Sequence, residues 1–403
     1  MLYHLREMQR SLLQPMTASA EVLSKLYTPF SRTLGAGFEL MHRLGKDYAK
    51  PEFGLTRTVV DGVEVAVTER VELHKPFCRL LKFERALPAG RPADPKVLLF
   101  APLSGHHATL LRDTVRTLLP EHEVWITDWT DARLVPVQEG RFGFDDYVAY
   151  SIEFMRHLGP DVHVVAVCQP TVPVLAALSV MSTLNDPCVP RSMTLMGGPV
   201  DPRQTPTTVN KLATERDFAW FEDNLVYTVP FNHPGAGRRV YPGFLQHLAF
   251  VSMNPDRHVK SHWDFYLDLC RGDLESAESH RAFYDEYNAV LDMDADFYLE
   301  TVKLVFQDHA LPRGVLKVNF EGQQHRVAPE DIRVPALFTV EGELDDIAGP
   351  GQTFATHALC KNLPEARKRH HVAPGAGHYG IFSGRRWRES IYPQLRAFIR
   401  ESR

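Results

Sequence analysis

The sequence predicts an α/β fold, a mostly parallel sheet flanked by helices, with a helical cap or lid insertion and an N-terminal helical extension. Three observations carry this reading. Short apolar runs, such as Lys96 to Ala101 and Val162 to Val167, alternate with helix-like segments. Strands buried on both faces and joined by helical crossovers read in just this way. The alternation stops at Gly197-Gly198-Pro199 and resumes at Ala336, and the stretch between is aromatic-rich and helical or irregular. The first 48 or so residues carry apolar positions at helical spacing instead of strand alternation.

The 403 residues exceed a typical single domain. The expected division is an N-terminal extension over 1–50, a first core part over 51–204, an insertion over 205–310 and a second core part over 311–403. In the extension, Leu5, Met8 and Leu12, then Val22, Leu26 and Phe30, form a stripe broken at Gly35-Ala36-Gly37. Such a stripe serves packing within the chain, packing against a second copy in a homo-oligomer, or contact with an apolar surface. Next come two β-rich runs, Thr56 to Val60 and Val63 to Val67, separated by Asp61-Gly62, the signature of a tight hairpin. Strands are then expected at Lys96 to Ala101, Glu123 to Asp128, Val162 to Val167, Arg191 to Met196, Ala336 to Val340 and Lys368 to Ala373. Helices are expected near Thr109 to Leu119, Asp145 to Leu158, Thr171 to Leu184 and Gln352 to Cys360. A final helix carries Trp387, Ile391, Leu395, Phe398 and Ile399 on one stripe.

A net charge of −5 and a pI near 6.4 give no electrostatic case for nucleic acid or an anionic membrane surface. Five cysteines, at 78, 168, 188, 270 and 360, without C-x-x-C spacing imply neither a disulfide framework nor a zinc site, and fit a reducing cytoplasm. There is no P-loop, no G-x-G-x-x-G after the first strand and no H-E-x-x-H, so neither cofactor nor metal is expected. No charged-then-apolar leader opens the chain, and no apolar window reaches the ~18 residues of a membrane span.

The chemistry concentrates at three strand ends. The run His163-Val-Val-Ala-Val167 stops at Cys168 and passes through Gln169-Pro170 into a helix. That is the layout of a nucleophile elbow, with the side chain projecting from a tight strand-to-helix turn. The helix N-terminus favours the thiolate and leaves the Gln169 backbone N–H for an oxyanion. Pro170 in the first turn lacks only an N–H that would have been unpaired. Past the strand Ala336 to Val340 comes Glu341-Gly-Glu-Leu-Asp345-Asp346, where Asp345 is the favoured histidine-orienting acid and Asp346 the alternative. Past the strand Lys368 to Ala373 comes Pro374-Gly-Ala-Gly377-His378-Tyr379-Gly380, whose glycines let His378 turn back over the sheet edge as general base. His370 and His371, inside the strand pattern, read as structural. A second oxyanion donor is expected from Pro102-Leu-Ser104-Gly105-His106, at Ser104, Gly105 or His106. Trp220, Phe221, Phe231 and Trp263 are candidates for a substrate groove, although aromatic residues more often fill a core.

Taken with the phrases Ala101-Pro-Leu-Ser-Gly-His-His-Ala-Thr-Leu110, Val167-Cys-Gln-Pro170 and Met196-Gly-Gly-Pro-Val-Asp201, the chain resembles the intracellular polyhydroxyalkanoate (polyhydroxybutyrate) depolymerases over nearly its whole length. The resemblance implies an α/β-hydrolase fold with a cysteine nucleophile and a triad on Cys168, Asp345 and His378. It further implies hydrolysis of amorphous polyester in cytoplasmic storage granules. The elbow departs from the G-x-nucleophile-x-G pattern, with Ala166 and Pro170 in place of the glycines, and from the related polyester synthases, which carry glycines after the cysteine. A hydroxyacyl transferase or synthase acting on CoA thioesters is the alternative within the same chemistry. A catalytically inactive granule scaffold is the alternative outside it.

Overall fold

The computed structural model describes residues 2–11, 32–46, 48–253 and 255–402. Nine strands form its main sheet: β1 (Arg57–Val60), β2 (Val63–Lys75), β3 (Cys78–Arg85), β4 (Lys96–Phe100), β5 (Glu123–Trp129), β6 (Val162–Val167), β7 (Ser192–Met196), β8 (Ala336–Gly342) and β9 (Lys368–Ala373). Their spatial order is β1-β2-β3-β5-β4-β6-β7-β8-β9. The first three pair antiparallel, β3 pairs antiparallel with β5, and every pair from β5 through β9 is parallel. The hairpin turns where Asp61-Gly62 predicts, with both residues at positive φ and Val60 opposite Val63.

The parallel strands are covered by helical crossovers, including α1 (Arg112–Leu118), α2 (Phe144–Leu158) and α3 (Thr171–Thr183). All six residues of β6 and all seven of β8 are buried, and α3 is buried from Thr171 to Met181. An apolar, two-sided core of this kind fixes the strand ends that carry the chemistry.

Between β7 and β8 the chain leaves the sheet. It forms the helices Thr208–Glu215, Phe218–Leu225, Gly243–Met253, Pro255–Arg271, Leu274–Tyr287 and Ala295–Thr301. It also makes a small antiparallel sheet of Tyr227–Thr228, Arg239–Tyr241 and Met293–Asp294, which period reading does not resolve because its strands are two or three residues long. A two-stranded hairpin, Lys317–Phe320 with Gln323–Arg326, precedes β8 and stands apart from the main sheet.

Three expectations change. Gly35 and Gly37 lie inside a helix, Arg32–Gly45, which is held in place by the fully buried Ala36 packing with Phe265, Leu269 and Ala277. In the helical segment 2–11 the inward residues are Tyr3 and Glu7, while Leu5 and Met8 are exposed. A hydrogen bond from the Tyr3 hydroxyl to the buried Asp292 carboxylate sets that face. Leu12, Val22, Leu26 and Phe30 lie outside the described residues. From Gln352 to Cys360 only Thr356–Leu359 is helical, because the Thr353 and Phe354 N–H groups donate to Glu341 instead of continuing a helix. Among the described residues no helix is long and apolar enough to cross a membrane.

Candidate active site

Cys168 occupies the single step between β6 and the turn into α3, with φ of +67°. A non-glycine residue rarely holds that conformation, and a tight elbow requires it to throw the side chain clear of the sheet edge. The turn is pinned from both sides. Cys168 N–H donates to the Met196 carbonyl at 2.7 Å, and its carbonyl accepts from Thr171 N–H at 3.1 Å. Cys168 itself is half-buried. The Gln169 backbone N–H, next in the chain, donates to none of the described residues.

Asp345 and His378 meet across two loops that β8 and β9 hold side by side. Leu344 N–H donates to the Ala376 carbonyl at 2.9 Å and Glu343 N–H to the Ala373 carbonyl at 3.2 Å. Gly342 lets the two loops close up, since a Cβ there would stand 2.6 Å from the Ala376 carbonyl oxygen. Asp345 Oδ1 accepts from Ile347 and Ala348 N–H, both at 2.9 Å, and Oδ2 accepts from His378 Nδ1 at 2.8 Å. Asp346 is exposed. Of the two candidate carboxylates, only Asp345 faces the histidine.

The imidazole of His378 is buried and hydrogen-bonded to Cys168 as well as to Asp345. Burial alone would lower its pKa. The negative charges of Cys168 and Asp345 and their hydrogen bonds outweigh that and hold it well above the ordinary histidine value. Among the described residues, every other histidine with a displaced pKa is displaced downward by burial, including His106 and His357 to about 4 and His107 to about 3. His370 takes the structural part expected of it, its Nδ1 lying 2.8 Å from Thr339 Oγ1.

Gly197, just past β7, backs this pair. It has φ of +56°, and a Cβ there would lie 2.6 Å from Ile381 Cδ1, 3.3 Å from Asp345 Oδ2 and 3.4 Å from His378 Cε1. Its role is not legible in the sequence, although the phrase Met196-Gly-Gly-Pro marks the spot. The loop after β4 reaches the elbow through Leu103, whose N–H donates to Gln169 Oε1 at 3.3 Å. Ser104 is the next residue along and half-buried. That loop is held on its far side by the insertion, with Leu291 N–H on the Gly105 carbonyl at 2.8 Å and His106 bridging to Val290.

The four aromatic candidates do not come together. Phe221 is buried beside Ala213, Leu299 and Val302, and Trp220 packs edge-on against it at 5.2 Å. Phe231 is 89 % exposed, and the exposed Trp263 stacks on Tyr266.

Parallel strands delivering a left-handed cysteine, a carboxylate and a histidine to one sheet edge, in that chain order, define an α/β-hydrolase. Residues 197–403, more than half of the chain, match the family model described as PHB de-polymerase C-terminus. The chain belongs to the PHB depolymerase family and is a carboxylic ester hydrolase. Similar solved structures include the 2-hydroxy-6-oxo-6-phenylhexa-2,4-dienoate hydrolase from Rhodococcus sp. strain RHA1, at 16 % identity and a TM-score of 0.44, covering 83 % of this chain and 99 % of that one. A thermophilic esterase from Thermogutta terrifontis is similar at 12 % identity and a TM-score of 0.41, covering 86 % and 97 %. A meta-cleavage product hydrolase from Pseudomonas fluorescens IP01 is similar at 15 % identity and 0.43, covering 86 % and 98 %. None of the curated proteins matches the chain.

Proposed function

We propose that the protein hydrolyses the ester bonds of amorphous poly(3-hydroxybutyrate) or a related polyhydroxyalkanoate, with Cys168 as nucleophile, His378 as base and acid, and Asp345 as its orienting partner. The observation that carries this reading is the position of the buried His378 between Cys168 on one side and the Asp345 carboxylate, at 2.8 Å, on the other. That arrangement lets His378 take the Cys168 proton as the sulfur attacks.

In the first half-reaction the Cys168 sulfur bonds to the ester carbonyl carbon, and the negative charge moves onto the carbonyl oxygen. The Gln169 N–H and an N–H of the 101–107 loop, at Ser104 or at Leu103 beside it, hold that oxygen. As the intermediate collapses, the carbon–oxygen bond to the chain alcohol breaks and the alkoxide takes its proton from His378. Water then gives a proton to His378 and bonds to the thioester carbon. Expulsion of the Cys168 thiolate frees the hydroxyacid or oligomer. Asp345 stabilises the imidazolium in both halves without taking its proton. No step calls for a cofactor.

The family match supports polymer as the substrate, and with it a cytoplasmic setting at storage granules. The test is incubation of the purified protein with amorphous 3-hydroxybutyrate polyester granules and quantification of released 3-hydroxybutyrate and oligomers. Steady release supports the reading. Absence of release, together with CoA release and chain growth from hydroxybutyryl-CoA, would replace it with a transferase.

A further inference from the structure

The side chain of Gln169 has no part in the mechanism above, which uses only its backbone, yet it sits on the oxyanion loop. Its Oε1 accepts from Leu103 N–H at 3.3 Å, and its Nε2 is buried with no hydrogen-bond partner. The bond is long, since N–H···O contacts centre near 2.9–3.0 Å. A carboxamide that tied the loop to the elbow as structure would be satisfied at both ends, because a buried unpaired donor is costly. The loop has other anchors in any case. Ala101 N–H donates to Thr127 Oγ1 at 2.9 Å, the Ala101 carbonyl accepts from the Trp129 indole at 2.8 Å, and the Gly105 carbonyl accepts from Leu291 N–H at 2.8 Å. What Gln169 holds is therefore the Leu103 N–H, and it holds it weakly.

We infer that the Gln169 carboxamide is a specificity-determining residue, a resident acceptor that caps the Leu103 N–H until an ester carbonyl displaces it. Displacement gives up one weak hydrogen bond and releases the stranded Nε2 to find an acceptor. The ligand class that supplies both acceptors is an oligoester, in which one carbonyl takes the oxyanion position while that of an adjoining unit receives the Nε2 hydrogen. A monoester displaces the cap but offers no second carbonyl. This inference rests on the polyester reading above and makes Leu103, one residue before Ser104, the loop donor.

The test compares kcat/KM for a linear 3-hydroxybutyrate trimer and for the single-ester substrate p-nitrophenyl butyrate, in wild type, Gln169→Met and Gln169→Glu. Met removes both acceptor and donor at similar length, whereas Glu keeps the acceptor and loses the donor. Both variants should lower the trimer-to-monoester ratio by about three- to tenfold, the worth of one neutral hydrogen bond. Gln169→Met alone should also lower KM for the monoester, because its cap is gone. A ratio unchanged in both variants would overturn the inference. So would a parallel collapse of kcat on both substrates with thermal stability lost, which is the mark of a structural tie. If wild type cleaves the monoester and leaves the trimer intact, it is the polyester reading that fails, and the inference falls with it.

Discussion

His378 Nδ1 lies 2.8 Å from Asp345 Oδ2, across 33 residues of sequence, with both side chains buried and the second carboxylate oxygen saturated by two backbone N–H groups. A carboxylate fixed on both oxygens cannot rotate away from the imidazole. It therefore dictates which ring nitrogen faces Cys168.

Asp345→Asn should keep the shape and lose the charge, lowering kcat by about 10³ to 10⁴ through the wrong tautomer and an unsupported imidazolium. The sign of the accompanying titration follows from the site. Burial lowers the His378 pKa, and Cys168 and Asp345 raise it above the ordinary value. Without the Asp345 charge, the imidazolium must give up its proton at a lower pH than in wild type. Histidine NMR titration of both proteins checks this, with the exposed Asp346→Asn as a control that should leave kcat and the titration in place.

Gly197→Ala should harm both fold and rate. The new methyl group would stand 2.6 Å from Ile381 Cδ1 and press on Asp345 and His378, at a φ of +56°. The left-handed conformation alone costs about 1–2 kcal/mol. A shift of the pair by about 1 Å costs on the order of 100-fold in rate. Denaturant unfolding and kcat measured together should both fall. An unchanged kcat would mean that the pair is not held from this side.

The buried pair Asp131 and Asp292 makes stability depend on pH. Burial and the neighbouring Asp292 charge push Asp131 up to about 7, and burial raises Asp292 as well, against the opposing pull of Arg133. The folded pair thus holds protons more tightly than the unfolded chain does. Its contribution is complete below the unfolded carboxylate range near 3.8 and is lost as pH rises through about 7. Chemical denaturation between pH 4 and 8 should show wild-type stability declining over that window, with a shallower decline in Asp131→Asn. An equal slope in both proteins would remove the pair as the cause.

Tyr3→Phe should free the N-terminal helical segment from the core. The lost hydroxyl leaves the buried Asp292 carboxylate short of a donor, at about 1–3 kcal/mol. Faster limited proteolysis near residues 2–11, measured beside global unfolding, is the expected outcome. Protection equal to wild type would mean that Tyr3 does not anchor the segment.

Much of this architecture is legible in the chain. β6 and β9 have the bounds the sequence predicts; β6 announces itself by composition because it is buried on both faces, whereas β9 is polar and only partly buried. Cys168 at a strand end and His378 among glycines stand out for the same local reason. The sequence favours Asp345 over Asp346 without deciding between them, since the arrangement turns on which side chain the Ile347 and Ala348 N–H groups meet. The hydrogen bond between the Leu103 N–H and Gln169 is not legible beside Ser104, Gly105 and His106, because its acceptor is a side chain 66 residues away. The glycines at 35 and 37 predict a break where the structure has a continuous helix. Their helix is set by a tertiary neighbour, Phe265, and packing overrides propensity there.

The most direct test of Cys168 as the nucleophile is to quench the wild-type protein with acid during turnover of a 3-hydroxybutyrate oligoester and map the acylated peptide by mass spectrometry, beside Cys168→Ala. Wild type should carry a hydroxylamine-labile hydroxyacyl group on Cys168, and the variant should show neither adduct nor turnover. An adduct on another residue, or hydrolysis retained by Cys168→Ala, would contradict that role.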